Sequence, residues 1–303
     1  MLYGYLYSSS YSNPRDEWDR LFGVMFGEDE TATMFIEVVP SLKQTYGLAD
    51  DFELDTKRYL FSLQTYFNIL LKLLINSFLR ELINPMFTAN TSLTKMEIDD
   101  LFEGRNMEQQ KLVNNFFEIH FYEWFTYSEN FDPEIVNSTL KLINEFELST
   151  YVLKPESVQD ILQEVYMELI PDKLRHLMGE YFSPDWIVEF VLNSIDYNGD
   201  IEKSLIDPTA GSGPFPVQAL KRIISNNPNL TKEQVIKITH NIIGFDLNPI
   251  SAVSAKANYI FTLFSAIFDL LENFGEPISI PIYIADSVLA PVVYTEESAS
   301  SLV

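Results

Sequence analysis

Residues 207–215 read DPTAGSGPF and follow directly on Ser204-Leu205-Ile206. Two glycines and two prolines in nine residues define a tight turn, the apolar residues before it read as a strand, and those after it read as a helix. A strand that ends in a glycine-bearing turn opening a helix presents backbone N–H groups at the carboxyl edge of a sheet, where open α/β sheets bind ligands. The pair Gly211 and Gly213 could begin a G-x-G-x-x-G dinucleotide fingerprint, but Pro216 stands where the third glycine belongs. No Lys-Ser or Lys-Thr follows the glycines, so the phosphate-binding P-loop is excluded.

Working outward, the sequence after Pro171 alternates short apolar runs with helical segments, the pattern of an α/β unit with a parallel sheet. The predicted strands are Ser204–Asp207, Ile242–Asp246 and Ile280–Ala285. Helices are expected from about Phe215 to Ser225, Thr231 to His240 and Pro249 to Asn273. Thr231 and Gln234 have the spacing of a capping box, and Asn248-Pro249 supplies an N-cap with proline in the first helical position. Residues 1–170 read as a mainly helical region and residues 171–303 as the α/β part. In the helical region, apolar residues recur at three- and four-residue steps from Asp55 to about Phe87, and further helices are expected at about Met107–Thr126, Pro133–Glu147 and Pro155–Leu169. A short strand is expected at Met34–Val39.

Composition narrows the function classes. The 20 Lys and Arg against 44 Asp and Glu give a formal charge of -24, which opposes broad contact with a phosphate backbone. With no cysteine and three dispersed histidines (His120, His176, His240), neither a disulfide framework nor a zinc site is expected, and a reducing cytoplasm fits. Lys72, Arg80 and Glu81 interrupt the most apolar stretch, Tyr66–Phe87, so it reads as a buried helix and no membrane span is expected. The aromatic run Asn115–Tyr127 has the composition of a base-stacking platform, but with few basic residues nearby it reads as core.

Asp207 decides what the turn can hold. A carboxylate at its mouth repels pyrophosphate and pairs with an ammonium or sulfonium group. S-adenosylmethionine carries both, followed by a ribose and an adenine. The next strand ends at Asp246, where an acid can accept from both ribose hydroxyls, and the third is followed by Asp286, where one can accept from an adenine amino group. The three acids lie 39 and 40 residues apart, each at a predicted strand's carboxyl end. Any one alone would read as a turn residue or helix cap; the three in register point to a ligand. Ahead of the first strand, GEYFSPDW (residues 179–186) reads as the start of a helix, with Ser183 as N-cap and Pro184 in the first position.

GEYFSPDW, DPTAGSGPF, GFDLNP and ADS, in that order, resemble the cofactor-binding half of the adenine-specific (N6) DNA methyltransferases of bacterial restriction-modification and phage-defence systems. The resemblance covers about residues 175–290. It implies a Rossmann-like, doubly wound S-adenosylmethionine-dependent domain behind a helical amino-terminal region. By the same resemblance, Tyr181, Phe182, Ser183 and Pro184 cover the methionine end of the cofactor. Asp207, Gly211, Gly213 and Phe215 wrap the methionine, Asp246 holds the ribose and Asp286 holds the adenine amino group. The family's catalytic tetrapeptide, (Asp/Asn/Ser)-Pro-Pro-(Tyr/Phe), has no counterpart: none of the fifteen prolines are adjacent, so no catalytic residue is assigned. The Asn248-Pro249 pair lacks the second proline and the aromatic residue. A truncated enzyme or split gene is therefore expected, with DNA gripped by a missing or separate target-recognition region and a complementing polypeptide carrying the tetrapeptide. Methylation of RNA or of a protein glutamine, and a non-catalytic scaffold or regulatory subunit, are the alternatives.

Overall fold

In the computed structural model the described residues are 53–84, 90–105, 111–118, 120–128, 131–145, 182–271 and 273–288, with scattered residues among 16–49 and 162–175. Tyr181 lies outside them, as do nearly all of the strand expected at Met34–Val39 and the first half of the helix expected from Pro155.

Helix α1 (Thr56–Ile83) runs for 28 residues, capped where the Asp55 side chain accepts from the Arg58 N–H at 3.0 Å. It is buried nearly all round, with Phe61, Phe67, Leu71, Ile75 and Phe78 each at most 1% exposed, as befits a central core helix. Its Lys72 is also fully buried and pairs with the equally buried Glu123. The ammonium also donates to the Glu118 carbonyl at 2.8 Å, so the charge is compensated inside the core.

Helix α2 (Lys95–Phe102) was not expected; the Thr94–Glu97 capping box starts it. The helix expected over Met107–Thr126 is corrected: residues 111–118 are turns and a bridge, and Phe121–Tyr127 form a 3-10 helix. The cause is tertiary. Val113 forms a parallel bridge with Ile278, and the Asn115 carboxamide mimics a strand neighbour. Its Oδ1 accepts from Ile280 N–H and its Nδ2 donates to Ile280 C=O, both at 2.8 Å. The aromatic run is core rather than platform, for Phe116, Tyr122, Trp124 and Phe125 are each at most 1% exposed. Helix α3 (Glu134–Glu145) follows.

Helix α4 (Asp185–Ser194) begins one residue later than expected. Pro184, extended at φ -61° and ψ 146°, is the N-cap in place of Ser183, and its carbonyl accepts the first helical bonds, from Ile187 and Val188. Then come β1 (Leu205–Asp207), α5 (Pro214–Asn226), α6 (Lys232–Asn241), β2 (Ile242–Asp246), α7 (Pro249–Ala266), the short α8 (Phe268–Leu271) and β3 (Ile282–Ile284). The helix expected through Asn273 thus ends at Ala266 and resumes as α8. The expected caps form: Thr231 and Gln234 close their capping box, and Asn248 caps α7 ahead of Pro249.

The three strands make one parallel sheet in the order β1-β2-β3. Asp207 lies beside Gly244 and Asp246 beside Ile284, so the carboxyl ends line one edge. Helix α7 is buried along most of its length and meets α1 through Phe78 and Phe261, whose ring centroids are 4.7 Å apart. The helical region and the sheet therefore share one hydrophobic core.

Candidate functional site

The three acids at the sheet edge share a local geometry. Each uses Oδ1 to accept the backbone N–H two residues on: Asp207 from Thr209 at 3.1 Å, Asp246 from Asn248 at 2.8 Å and Asp286 from Val288 at 2.9 Å. These are Asx turns, in which a short acid bends the chain as it leaves the strand. The turn reading of the acids is thus correct for one oxygen of each.

The second oxygens differ. Asp246 Oδ2 accepts the Gly211 N–H at 2.8 Å, tying the glycine turn to the end of β2. Asp207 Oδ2 is buried and has no hydrogen-bond partner, and the residue is only 8% exposed. Burial, aided by the nearby Asp246 charge, pushes the Asp207 carboxyl above its ordinary value, against the lowering effect of the Thr209 N–H. Burial likewise raises Asp246, and the N–H groups of Asn248 and Gly211 oppose it. An unpartnered buried carboxylate oxygen is costly. A cation or donor placed against Asp207 would remove that cost.

The turn itself needs its glycines for different reasons. Gly211 (φ +55°) and Gly213 (φ +87°) both take left-handed backbone, the conformation glycine adopts most easily. A Cβ on Gly211 would meet nothing within 4 Å, whereas one on Gly213 would lie 3.1 Å from Ala255 Cβ. The first glycine faces open space and the second is pressed against α7. Two further backbone bonds close the site, Ala210 N–H to the Phe245 carbonyl at 2.7 Å and Ala285 N–H to the Asp246 carbonyl at 3.0 Å. The structure therefore brings Asp207, Gly211, Gly213 and Asp246 together, with Asp286 joined through its neighbour Ala285.

The remaining predicted residues are less directly tied to this edge. Phe215, in the first turn of α5, is half-buried against the core. Phe182 is also half-buried, but its described contacts run to residues that precede it in the chain: it meets Tyr166 edge-on at 6.2 Å, and the Arg175 guanidinium lies over its ring at 5.6 Å. Ser183 is half-buried and Pro184 exposed. Sequence reasoning missed Ala255 and Asn258 of α7, whose side chains support the glycine turn. A polar Asn inside an apolar helix was the available signal. Among the described residues no cluster of three His, Asp or Glu is arranged to hold a metal, and no helix is long and apolar enough to cross a membrane.

Residues 157–263 match the family model described as N-6 DNA methylase. The match runs from ahead of Phe182 through the glycine turn and Asp246 into α7, so it takes in GEYFSPDW, DPTAGSGPF and GFDLNP and ends before ADS. No curated protein matches the chain. Among solved structures, a modification subunit assigned to a type I restriction enzyme from Vibrio vulnificus YJ016 is similar, with 13% identity and a TM-score of 0.40. The alignment covers 85% of this chain, which spans 56% of that subunit.

Proposed function

We propose that this chain is the S-adenosylmethionine-binding part of an adenine-specific (N6) DNA methyltransferase of restriction-modification or phage-defence type, acting in the cytoplasm. The observation that carries this reading is Asp207 Oδ2, a buried acceptor without a partner at the mouth of a glycine turn that is itself tied to Asp246. Such a site asks for a cationic head group rather than a phosphate. The parallel order β1-β2-β3 agrees with one half of a doubly wound, Rossmann-like sheet. The family-model match over residues 157–263 points the same way.

The residues fit the cofactor. Asp207 takes the ammonium of the methionine moiety, and the open space at Gly211 lets the backbone approach it. Each Asp246 oxygen holds one backbone N–H, which leaves lone pairs for the ribose hydroxyls. Asp286 accepts from the adenine amino group, Phe215 closes the methionine side, and Tyr181, Phe182, Ser183 and Pro184 form the cover. When bound, S-adenosylmethionine supplies an electrophilic methyl group on its sulfonium.

The step that flips and orients a target adenine belongs to a Pro-Pro tetrapeptide that is absent from these 303 residues. We assign it to a complementing polypeptide or region, which also grips the DNA. The sheet face bearing Ile206 (60% exposed) and Tyr283 (46% exposed) supports this, since parallel sheets are normally covered on both faces.

Calorimetry tests the core of the reading: S-adenosylmethionine is expected to bind with a dissociation constant on the order of micromolar, and Asp246→Ala to abolish binding. A well-folded sample that gives no heat would overturn it. The missing tetrapeptide favours one second reading, a non-catalytic subunit that keeps the cofactor fold. Transfer of labelled methyl groups to DNA once a tetrapeptide-bearing partner is added supports the enzyme; binding without transfer supports the subunit.

A further inference from the structure

We infer that Asn258, in the middle of α7, is a positioning residue for the glycine turn, holding it in the shape that receives the methionine end of the ligand. The ligand's identity in this inference rests on the S-adenosylmethionine reading above.

Asn258 is 3% exposed and lies in a helical stretch whose neighbours are Ala257, Tyr259, Ile260 and Phe261. Its Nδ2 donates to the Ser212 carbonyl at 2.9 Å. The Gly213 N–H, on the far side of the same peptide unit, donates to the Ala210 carbonyl at 2.8 Å. The peptide between Ser212 and Gly213 is planar, so holding both ends fixes its orientation and prevents it from flipping. Ala255, three residues before Asn258 and on the same face of α7, supplies a steric stop: a Cβ on Gly213 would lie 3.2 Å from Ala255 Cα. Helix α7 thus supports the turn with both a hook and a floor.

The carboxamide is not there for folding alone. Its Oδ1 is buried without a partner, and an orphaned acceptor makes a buried Asn a worse core residue than an apolar side chain of similar size. A side chain that burdens the core while gripping the loop is explained by what the loop must do.

Asn258→Leu and, as a smaller change, Asn258→Ala in the full chain test this. Asn258→Leu, which keeps the volume and removes the orphaned acceptor, is expected to unfold near the parent's temperature and Asn258→Ala, which leaves a cavity, below it; in both, the Gly213 amide is expected to exchange with solvent at least about tenfold faster. In calorimetry the dissociation constant for S-adenosylmethionine should rise about tenfold, while that for adenosine, which lacks the methionine end, stays within about twofold. Equal weakening of both ligands, or unchanged exchange at Gly213, would overturn the inference. If the parent binds neither ligand, the cofactor reading fails, and the exchange measurement still decides whether Asn258 positions the turn.

Discussion

The Gly211 backbone N–H donates to Asp246 Oδ2 at 2.8 Å, so the turn that follows β1 is held by the acid that closes β2. The two halves of the candidate site cannot shift independently. Asp246→Asn offers an N–H₂ group where one of two backbone donors now finds a carboxylate oxygen. The expected cost is about 1–3 kcal/mol, the penalty of an unsatisfied buried donor, with faster amide exchange at Gly211 or Asn248. Urea denaturation and exchange by NMR measure both.

The two glycines of the turn should respond unequally to a methyl group. Both are left-handed, so alanine costs about 1–2 kcal/mol at either position. At Gly213 the new Cβ also meets Ala255 at 3.1 Å, while at Gly211 it meets nothing within 4 Å. Gly213→Ala is expected to be the more destabilising by about 1 kcal/mol or more, read as the difference in denaturation midpoints.

Asp207 makes stability depend on pH. Its carboxyl keeps the proton to higher pH in the native chain than in the unfolded one, where the ordinary value is 3.8. The native state therefore binds more protons above that pH, and stability falls as pH rises through the window between 3.8 and the raised value. Asp207→Asn keeps an acceptor for the Thr209 N–H and removes the charge. Without ligand, this variant should be more stable than the parent at neutral pH, and the advantage should vanish below about pH 4. Denaturation at neutral pH and at pH 3.5 provides the comparison.

Lys72 and Glu123 are a fully buried ion pair. Lys72→Met leaves the Glu123 carboxylate inside the core without its cation, at an expected cost of about 3–5 kcal/mol. Adding Glu123→Gln restores a neutral acceptor for Asn68 Nδ2, which now donates to Glu123 at 2.8 Å. Because the His120 N–H donates to the other Glu123 oxygen at 2.7 Å and would face the new N–H₂ group, the double variant is expected to recover part of the loss, as a double-mutant cycle would show.

The paired bonds of Asn115 to Ile280 predict that Asn115→Ala destabilises the chain by about 1–3 kcal/mol. The loss should appear as faster amide exchange at Ile280, measurable by NMR or mass spectrometry.

Much of the sheet edge was legible in the sequence because its signals are local. A parallel strand is a short apolar run, the acids at 207, 246 and 286 bend the chain within two residues of themselves, and the Thr231 capping box is written in adjacent turns. The helix expected over Met107–Thr126 shows where local reasoning stops. Its apolar spacing is helical, but the Asn115 carboxamide and the Val113 backbone are engaged by residues 278–280, and that pairing overrides propensity. Helix α2 was overlooked although its Thr94–Glu97 capping box is local. The Ser183 cap failed by one residue because Pro184, extended, takes the N-cap itself. A polar side chain in an apolar helix marks Asn258, but its role depends on a carbonyl 46 residues earlier.

The contact between Asn115 and Ile280 spans 165 residues, and this sets an order of assembly. Strands β1 and β2, and β2 and β3, are each joined by a single crossover and can find each other early, whereas the Asn115–Ile280 contact needs a long closure whose entropy must be met before any bond repays it. During synthesis, Asn115 and Val113 leave the ribosome long before Ile278 and Ile280 exist to pair with them. The tie between residues 113–115 and the segment leading into β3 is therefore expected to be the last of these contacts to close.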